Sequence, residues 1–285
     1  MRPPGSIALF THATVADTGE GVAALLDAAT QAGIEVRLPR AEAEKHGIEE
    51  RPGVTVRTEL AEDTDLGVVL GGDGTILTAL RTCAVRDIPV FSINYGAIGF
   101  LSTVDHGELE DGIRRIVAGE FETLAIPALE ARIDGGVRLA VNDISFHRRP
   151  GMRVADLAYA IGEDEVGRVR CDGLVVSTPA GSTGYNLANG GPVMAWGVEG
   201  YVVSFIAPHS LTARSLVVAP NDTLTVHNRS SEDAVDVTVD GRLARELAAG
   251  GALEVRFADD RARLAQLPGA TFYHRLREKF GRLAF

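Results

Sequence analysis

Three glycines, a carboxylate and a hydroxyl stand together at Gly71-Gly72-Asp73-Gly74-Thr75. Glycines let the backbone turn sharply and bring its N–H groups against an anion. The run before them, Leu66–Leu70, is apolar like a buried strand, and the run after them, Ile76–Ala84, has helical composition. The cluster therefore falls at the carboxyl end of a strand, where open α/β sheets bind ligands, and at a helix N-terminus with about half a positive charge. Thr75 is placed to cap that helix or to donate to a phosphate. Asp73 is the odd member, because a carboxylate repels a phosphate unless it holds a metal or takes a proton. Both are tasks in phosphoryl transfer. As an isolated turn, the same segment would only connect strand to helix, with Asp73 as a cap.

The elements around this cluster alternate. Ile7–Phe10, Ile34–Leu38, Leu66–Leu70 and Ile88–Ile93 read as strands. Val22–Ala32 reads as a helix ending at Gly33, and Asp105 is placed to cap a helix carrying Leu109, Ile113, Ile116 and Val117. Such alternation predicts a parallel, Rossmann-like sheet covered by helices. Gly19-Glu20-Gly21-Val22-Ala23-Ala24 fits a dinucleotide fingerprint, but the first strand ends about eight residues too early, so a helix start with incidental glycines is expected.

After Pro127 the texture changes to apolar–polar alternation, with a hairpin expected at Gly135-Gly136 and another turn at Asp240-Gly241. Strands are predicted at Leu174–Ser177, Tyr201–Ile206, Leu216–Val218, Leu224–Val226, Val235–Val239 and Leu253–Phe257. The tail returns to helical spacing at Leu276, Phe280 and Leu283. The expected organisation is an α/β domain over 1–125, a mainly β, sandwich-like domain over 126–265 and a helical tail over 266–285 that packs back.

Composition narrows the function. The 285 residues carry a net charge of −11, which argues against general binding to nucleic acid or an anionic membrane surface. No apolar run approaches the ~20 residues of a membrane helix, and the N-terminal run is too short for a signal-peptide core. The two cysteines, Cys83 and Cys171, form no CxxC pair, so neither a disulfide framework nor a zinc site is expected. A cytoplasmic location is the expectation.

Later motifs select among phosphoryl-transfer chemistries. Gly-Gly-Asp-Gly-Thr resembles the mark of a superfamily holding NAD kinases, diacylglycerol and sphingosine kinases and phosphofructokinases. Asn94-Tyr95-Gly96-Ala97-Ile98-Gly99-Phe100-Leu101 resembles the NAD kinase segment N-x-G-x-L-G-F-L. Asn142-Asp143 stands where that family has Asn-Glu. The run Asp172-Gly173 through Ser182-Thr183-Gly184-Tyr185 resembles its long D-G…S-T-P-T-G-S-T-A-Y signature. Gly190-Gly191-Pro192, Pro208-His209-Ser210-Leu211 with Arg214, and Asp240-Gly241 follow in family order. Departures are Ala180 for Thr, Gly184 for Ala, Ala188 for Ser and Ser215 for Pro.

The resemblance implies an enzyme that phosphorylates the 2′-hydroxyl of the adenosine ribose of NAD, using ATP or polyphosphate with Mg²⁺ on the donor phosphates, to make NADP. It gives the base role to Asp73 and phosphate contacts to Gly71, Gly72, Gly74 and Thr75. It assigns the ribose hydroxyls to Asn142 and Asp143 and the nicotinamide side to Asp172. Ser182, Thr183, Gly184 and Tyr185 would line the adenine and ribose, Phe100 would be an apolar wall, and Asp240 would belong to the last binding segment. It also implies a homodimer or homotetramer. Two other readings compete: a lipid kinase of the same superfamily, against which the lack of a basic amphipathic helix counts, and a nucleotide sensor without catalysis, against which Asp73 counts.

Overall fold

The computed structural model describes residues 2–96 and 99–281; Ala97, Ile98 and the helical position expected at Leu283 lie outside the described residues. In chain order the elements begin β1 (Ser6–Thr11), α1 (Val15–Ala32), β2 (Glu35–Pro39), α2 (Arg40–His46), β3 (Val54–Arg57), β4 (Leu66–Gly71), α3 (Asp73–Ala84) and β5 (Pro89–Asn94). They continue with β6 (Val104–Asp105), α4 (Leu109–Ala118), β7 (Glu122–Ile133), β8 (Gly136–Ala140), β9 (Asp143–Arg148), β10 (Ala155–Ile161), β11 (Asp164–Cys171) and β12 (Gly173–Ser177). The rest are α5 (Tyr185–Ala188), β13 (Tyr201–Ile206), β14 (Leu216–Val218), β15 (Leu224–Asn228), β16 (Val235–Val239), β17 (Arg242–Leu247), β18 (Ala252–Gln266) and α6 (Phe272–Phe280). Two compact units result: Met1–Ala125 with Ala262–Phe285, and Ile126–Arg261.

The first unit is α/β. Its strands pair in parallel in the order β5-β4-β1-β2-β3, with β6 and the end of β18 also parallel to β5. Every residue of β1, β4 and β5 is buried, because helices cover both faces of a parallel sheet and leave no polar side. Register places Thr11 beside Leu70 and Gly71 beside Asn94, so these strand ends finish level.

Two sequence expectations change here. Helix α1 begins at Val15, so Gly19 and Gly21 lie inside it rather than at its start. A Cβ on Gly21 would sit 2.3 Å from the Tyr95 hydroxyl, so close packing explains this glycine. Asp105 precedes a 3₁₀ turn, His106–Glu108, and makes no capping bond. Its carboxylate instead accepts from Asn94 Nδ2 at 3.2 Å and Lys279 Nζ at 3.1 Å.

The second unit is mainly antiparallel β. One sheet runs β14-β13-β12-β9-β16-β17. The other pairs β11-β10-β15 with the start of β18 and carries the β7–β8 hairpin. Inward side chains of both sheets, among them Leu129, Phe146, Leu157, Leu174, Val203, Val226 and Val237, form one core, as in a β-sandwich. The first hairpin turns at Asp134-Gly135 (φ 51° and 79°), one residue before the expected Gly135-Gly136, and Gly136 opens β8. A tight hairpin needs positive φ at both central positions, and Asp-Gly supplies it. Asp240-Gly241 does the same between β16 and β17 (φ 45° and 74°). Among the described residues, no helix is long and apolar enough to cross a membrane.

Candidate functional site

In the first unit, β4 ends at Gly71 and Gly72 is the N-cap of α3, so Asp73 opens the helix. The cap is Gly72 rather than Thr75. The Thr75 and Ile76 N–H groups bond back to the Gly72 carbonyl, at 2.9 and 3.1 Å. The first N–H groups of a helix have no acceptor within it and are available to an anion. Thr75 folds over Gly71, where a Cβ would stand 2.8 Å from its Cβ and Oγ1. Gly74 is exposed, and among the described residues nothing lies within 4 Å of where its Cβ would be.

The loop after β5 closes on this turn. Tyr95 N–H donates to the Gly71 carbonyl at 3.1 Å, and a Cβ on Gly96 would lie 3.0 Å from Gly72 Cα. Asn94 holds the loop from beneath, its Oδ1 accepting from Gly96 N–H at 2.9 Å. Further on, Leu101 N–H donates to Asp73 Oδ1 at 3.4 Å. Phe100, expected as a wall for a base, is only 5% exposed. Its ring packs against Phe272 and Phe280 of α6 at centroid distances of 5.9 and 5.8 Å. The structure places it in the core, where it anchors the loop to the C-terminal helix.

In the second unit, Asn142 lies in the corner between β8 and β9, and Asp143 opens β9. The Asp240 carboxylate is the clasp of this corner: it accepts from the N–H groups of Val141, Asn142 and Asp143 at 3.1, 2.7 and 3.1 Å. Asp240 therefore shapes the corner from behind. Asp143 is buried, and burial first, then the neighbouring Asp240 charge, pushes its carboxyl up to about 7. Asn142 Oδ1 is buried and finds no hydrogen-bond partner among the described residues.

The segment after β12 is fastened to the same corner. Thr178 donates its N–H to the Asn142 carbonyl at 2.9 Å and its hydroxyl to the Val141 carbonyl at 2.6 Å. Gly181 passes so close that a Cβ there would be 2.1 Å from the Asn142 oxygen. Ser182, expected to line a ligand, is fully buried; it donates to the Pro179 carbonyl and accepts from Met194 N–H. Thr183 is half-buried, while Gly184 and Tyr185 are exposed. Asp172 is ion-paired with Arg148 at 2.5 Å.

Three contributors received no role of their own from the sequence, Gly181 standing only as a member of the long signature. Gly181 is needed for the close pass just described. Asn186 is fully buried and donates to the Ser182 and Pro192 carbonyls, fixing the loop that carries Thr183 to Tyr185. His147 stacks on Tyr185 at 5.6 Å, and burial holds its imidazole below the ordinary value. A signal existed for His147: it lies two residues from Ser145 on β9, hence on the same strand face. The Ser145 hydroxyl is hydrogen-bonded to it at 2.8 Å.

Comparison with known proteins follows the same division. Residues 20–121 match the family described as ATP-NAD kinase N-terminal domain, and residues 141–267 match the ATP-NAD kinase C-terminal domain. An NAD kinase of Gemmatimonas aurantiaca is 36% identical over 230 residues, covering 78% of this chain and 80% of that protein. One of Symbiobacterium thermophilum is 37% identical over 222 residues, covering 76% and 78%. Among solved structures, yeast NADH kinase complexed with NADH superposes with a TM-score of 0.86 at 23% identity, over 99% of this chain and 90% of that one. An NAD kinase from Archaeoglobus fulgidus in complex with ATP superposes at 0.73 and 25% identity, over 97% of each chain.

Proposed function

This chain belongs to the NAD kinase family, and we propose that Asp73 is the base of its reaction. The enzyme phosphorylates NAD to NADP, with ATP as donor. The acceptor is the 2′-hydroxyl of the adenosine ribose, a poor nucleophile at neutral pH. A carboxylate at that oxygen takes its proton as the bond to phosphorus forms. One observation carries the reading: Asp73 is the first residue of α3, between the N-cap Gly72 and the exposed Gly74, at a helix N-terminus. The α3 N–H groups, with Gly71, Gly72, Gly74 and Thr75, receive the donor phosphates.

Asn142 and Asp143 accept from ribose hydroxyls; the orphaned Asn142 Oδ1 supports this, because a buried acceptor without a donor is costly until one arrives. Thr183, Gly184 and Tyr185 meet the adenosine, and Asp172 the nicotinamide side. Phe100, Ser182 and Asp240 act through the loops they hold. Among the described residues no three His, Cys, Asp or Glu side chains converge on a metal position. Mg²⁺ takes most of its ligands from waters and substrate phosphates, so a donor arriving with its own ion fits these residues. When bound, the ion neutralises charge on the transferred group. A cytoplasmic homodimer or homotetramer completes the proposal.

The test is direct. Incubation with NAD, ATP and Mg²⁺ yields NADP, and polyphosphate in place of ATP reports the donor range. Asp73→Asn lowers kcat by roughly 10²–10⁴-fold while the Kd for NAD stays within about threefold. Absence of NADP overturns the function, and unchanged turnover in Asp73→Asn removes the base.

A further inference from the structure

Arg275 of α6 is 7% exposed, an unusual setting for a guanidinium. Its Nη1 donates to the Phe100 carbonyl at 3.2 Å and also to the Ser102 carbonyl. Between those carbonyls lies the Leu101 N–H that donates to Asp73 Oδ1 at 3.4 Å. The Phe100 carbonyl and the Leu101 N–H belong to one peptide group, which is planar, with its C=O and N–H pointing in opposite directions. Fixing the carbonyl therefore fixes the direction of the N–H. Hydrogen bonds in such a chain also polarise one another. The loop has little freedom to turn otherwise, since Phe100 is packed by Phe272 and Phe280 of the same helix.

We propose that Arg275 is a positioning residue for Asp73, acting through the Phe100–Leu101 peptide group. The C-terminal helix thereby orients the catalytic carboxylate. The inference rests on the base role given to Asp73 above. Burial alone would favour an apolar side chain here, because an ammonium or guanidinium taken from water is costly unless well hydrogen-bonded. Burial lowers the Arg275 guanidinium to about 10, and the charges of Glu278, Asp105 and Asp73 act in the opposite direction. Arg275 thus stands within the electrostatic reach of Asp73 as well as in its hydrogen-bond chain.

The experiment is a double-mutant cycle on the full chain with NAD, ATP and Mg²⁺. Arg275→Lys keeps the charge but replaces the planar guanidinium, whose Nη1 alone donates to both carbonyls, with an ammonium on a different stem that does not hold two donors in that plane. Its kcat falls about tenfold or more, while KM for NAD and for ATP stays within about twofold, because orientation of the base is lost and substrate contacts are not. Added guanidinium ion restores part of the kcat of Arg275→Ala. The double variant Asp73→Asn/Arg275→Lys is no slower than Asp73→Asn alone, since Arg275 has nothing left to orient. A folded Arg275→Lys with wild-type kcat, or losses that multiply across the cycle, overturns the positioning role and leaves the base intact. A wild-type kcat in Asp73→Asn overturns the base itself. Should Arg275→Lys not fold, Phe280→Leu loosens α6 on Phe100 from a 37% exposed position, and a kcat loss of about two- to fivefold at constant KM is expected. An unchanged kcat there overturns the inference.

Discussion

The turn at Gly71–Asp73 and the corner at Asn142–Tyr185 are built in opposite ways. The turn is made of backbone. Its side chains are few, its N–H groups emerge from a helix end, and among the described residues Gly74 has nothing within 4 Å of its missing Cβ. The corner is made of side chains spent on backbone: Asp240 on three N–H groups, Thr178 on the Val141 carbonyl, Ser182 and Asn186 on the loop after β12. Each form suits the task proposed for it. A phosphate needs several donors and free approach, whereas ribose hydroxyls need a few acceptors held at fixed points. Glycine therefore has two meanings in one protein. At Gly74 it leaves open space, which the proposed donor phosphates would use; at Gly181 it leaves room for the chain itself.

The strongest way to break this contrast is Gly181→Ala. Its Cβ meets the Asn142 carbonyl oxygen at 2.1 Å, so the corner must open. A loss of about 3 kcal/mol in unfolding free energy is expected, together with weakened NAD binding. Chemical denaturation and NAD titration measure both, and a variant as stable as the parent would sink the packing account of the corner.

Asp143 gives the next largest effect. Its folded value lies above the ordinary carboxyl value, so between about pH 4 and 7 the folded chain holds more proton on it than the unfolded chain does. Stability contributed at this position is therefore greatest at low pH and falls as pH rises through that window. The ribose contact proposed for Asp143 has the opposite sign, since the carboxylate accepts better than the acid. The KM for NAD should fall as pH rises through about 7, and Asp143→Asn should raise it about tenfold and flatten both pH dependences. A pH-dependent KM that survives in Asp143→Asn would assign the titration elsewhere.

Gly74→Ala is the smallest and most pointed change. Alanine in an exposed first turn favours the helix over glycine by about 0.5–1 kcal/mol, so the melting temperature should hold or rise. On the phosphate role proposed for this turn, the new methyl crowds the donor, and KM for ATP should rise about fivefold. A variant that is less stable, with ATP affinity unchanged, would reverse the meaning given to this glycine.

Much of the first unit was legible because its signals are local. The Leu66–Leu70 run, the glycine turn and the helix after it lie within twenty residues, and periodicity with turn chemistry suffices to read them. The second unit was legible as alternation, and the Asp240-Gly241 turn was recognisable from its residue types. One error was a local competition, the Asp134-Gly135 turn outranking Gly135-Gly136; the other was tertiary, since α1 runs through both glycines and Tyr95, distant in sequence, packs on Gly21.

By itself, then, the sequence determined the alternation of elements, the place of the glycine turn, and the order of motifs that marks the family. Those properties depend on neighbours along the chain. Tertiary structure alone decided which side chains are spent on holding loops and which remain for a ligand. Asp240 lies 98 residues from Asn142, and Arg275 lies 175 from Phe100. No periodicity spans such distances; only the folded path brings a carboxylate to three amides or a guanidinium to two carbonyls. Burial then decides the rest, since the same Asp143 that would be an ordinary acid in the unfolded chain becomes a group poised near 7 once water is withdrawn from it.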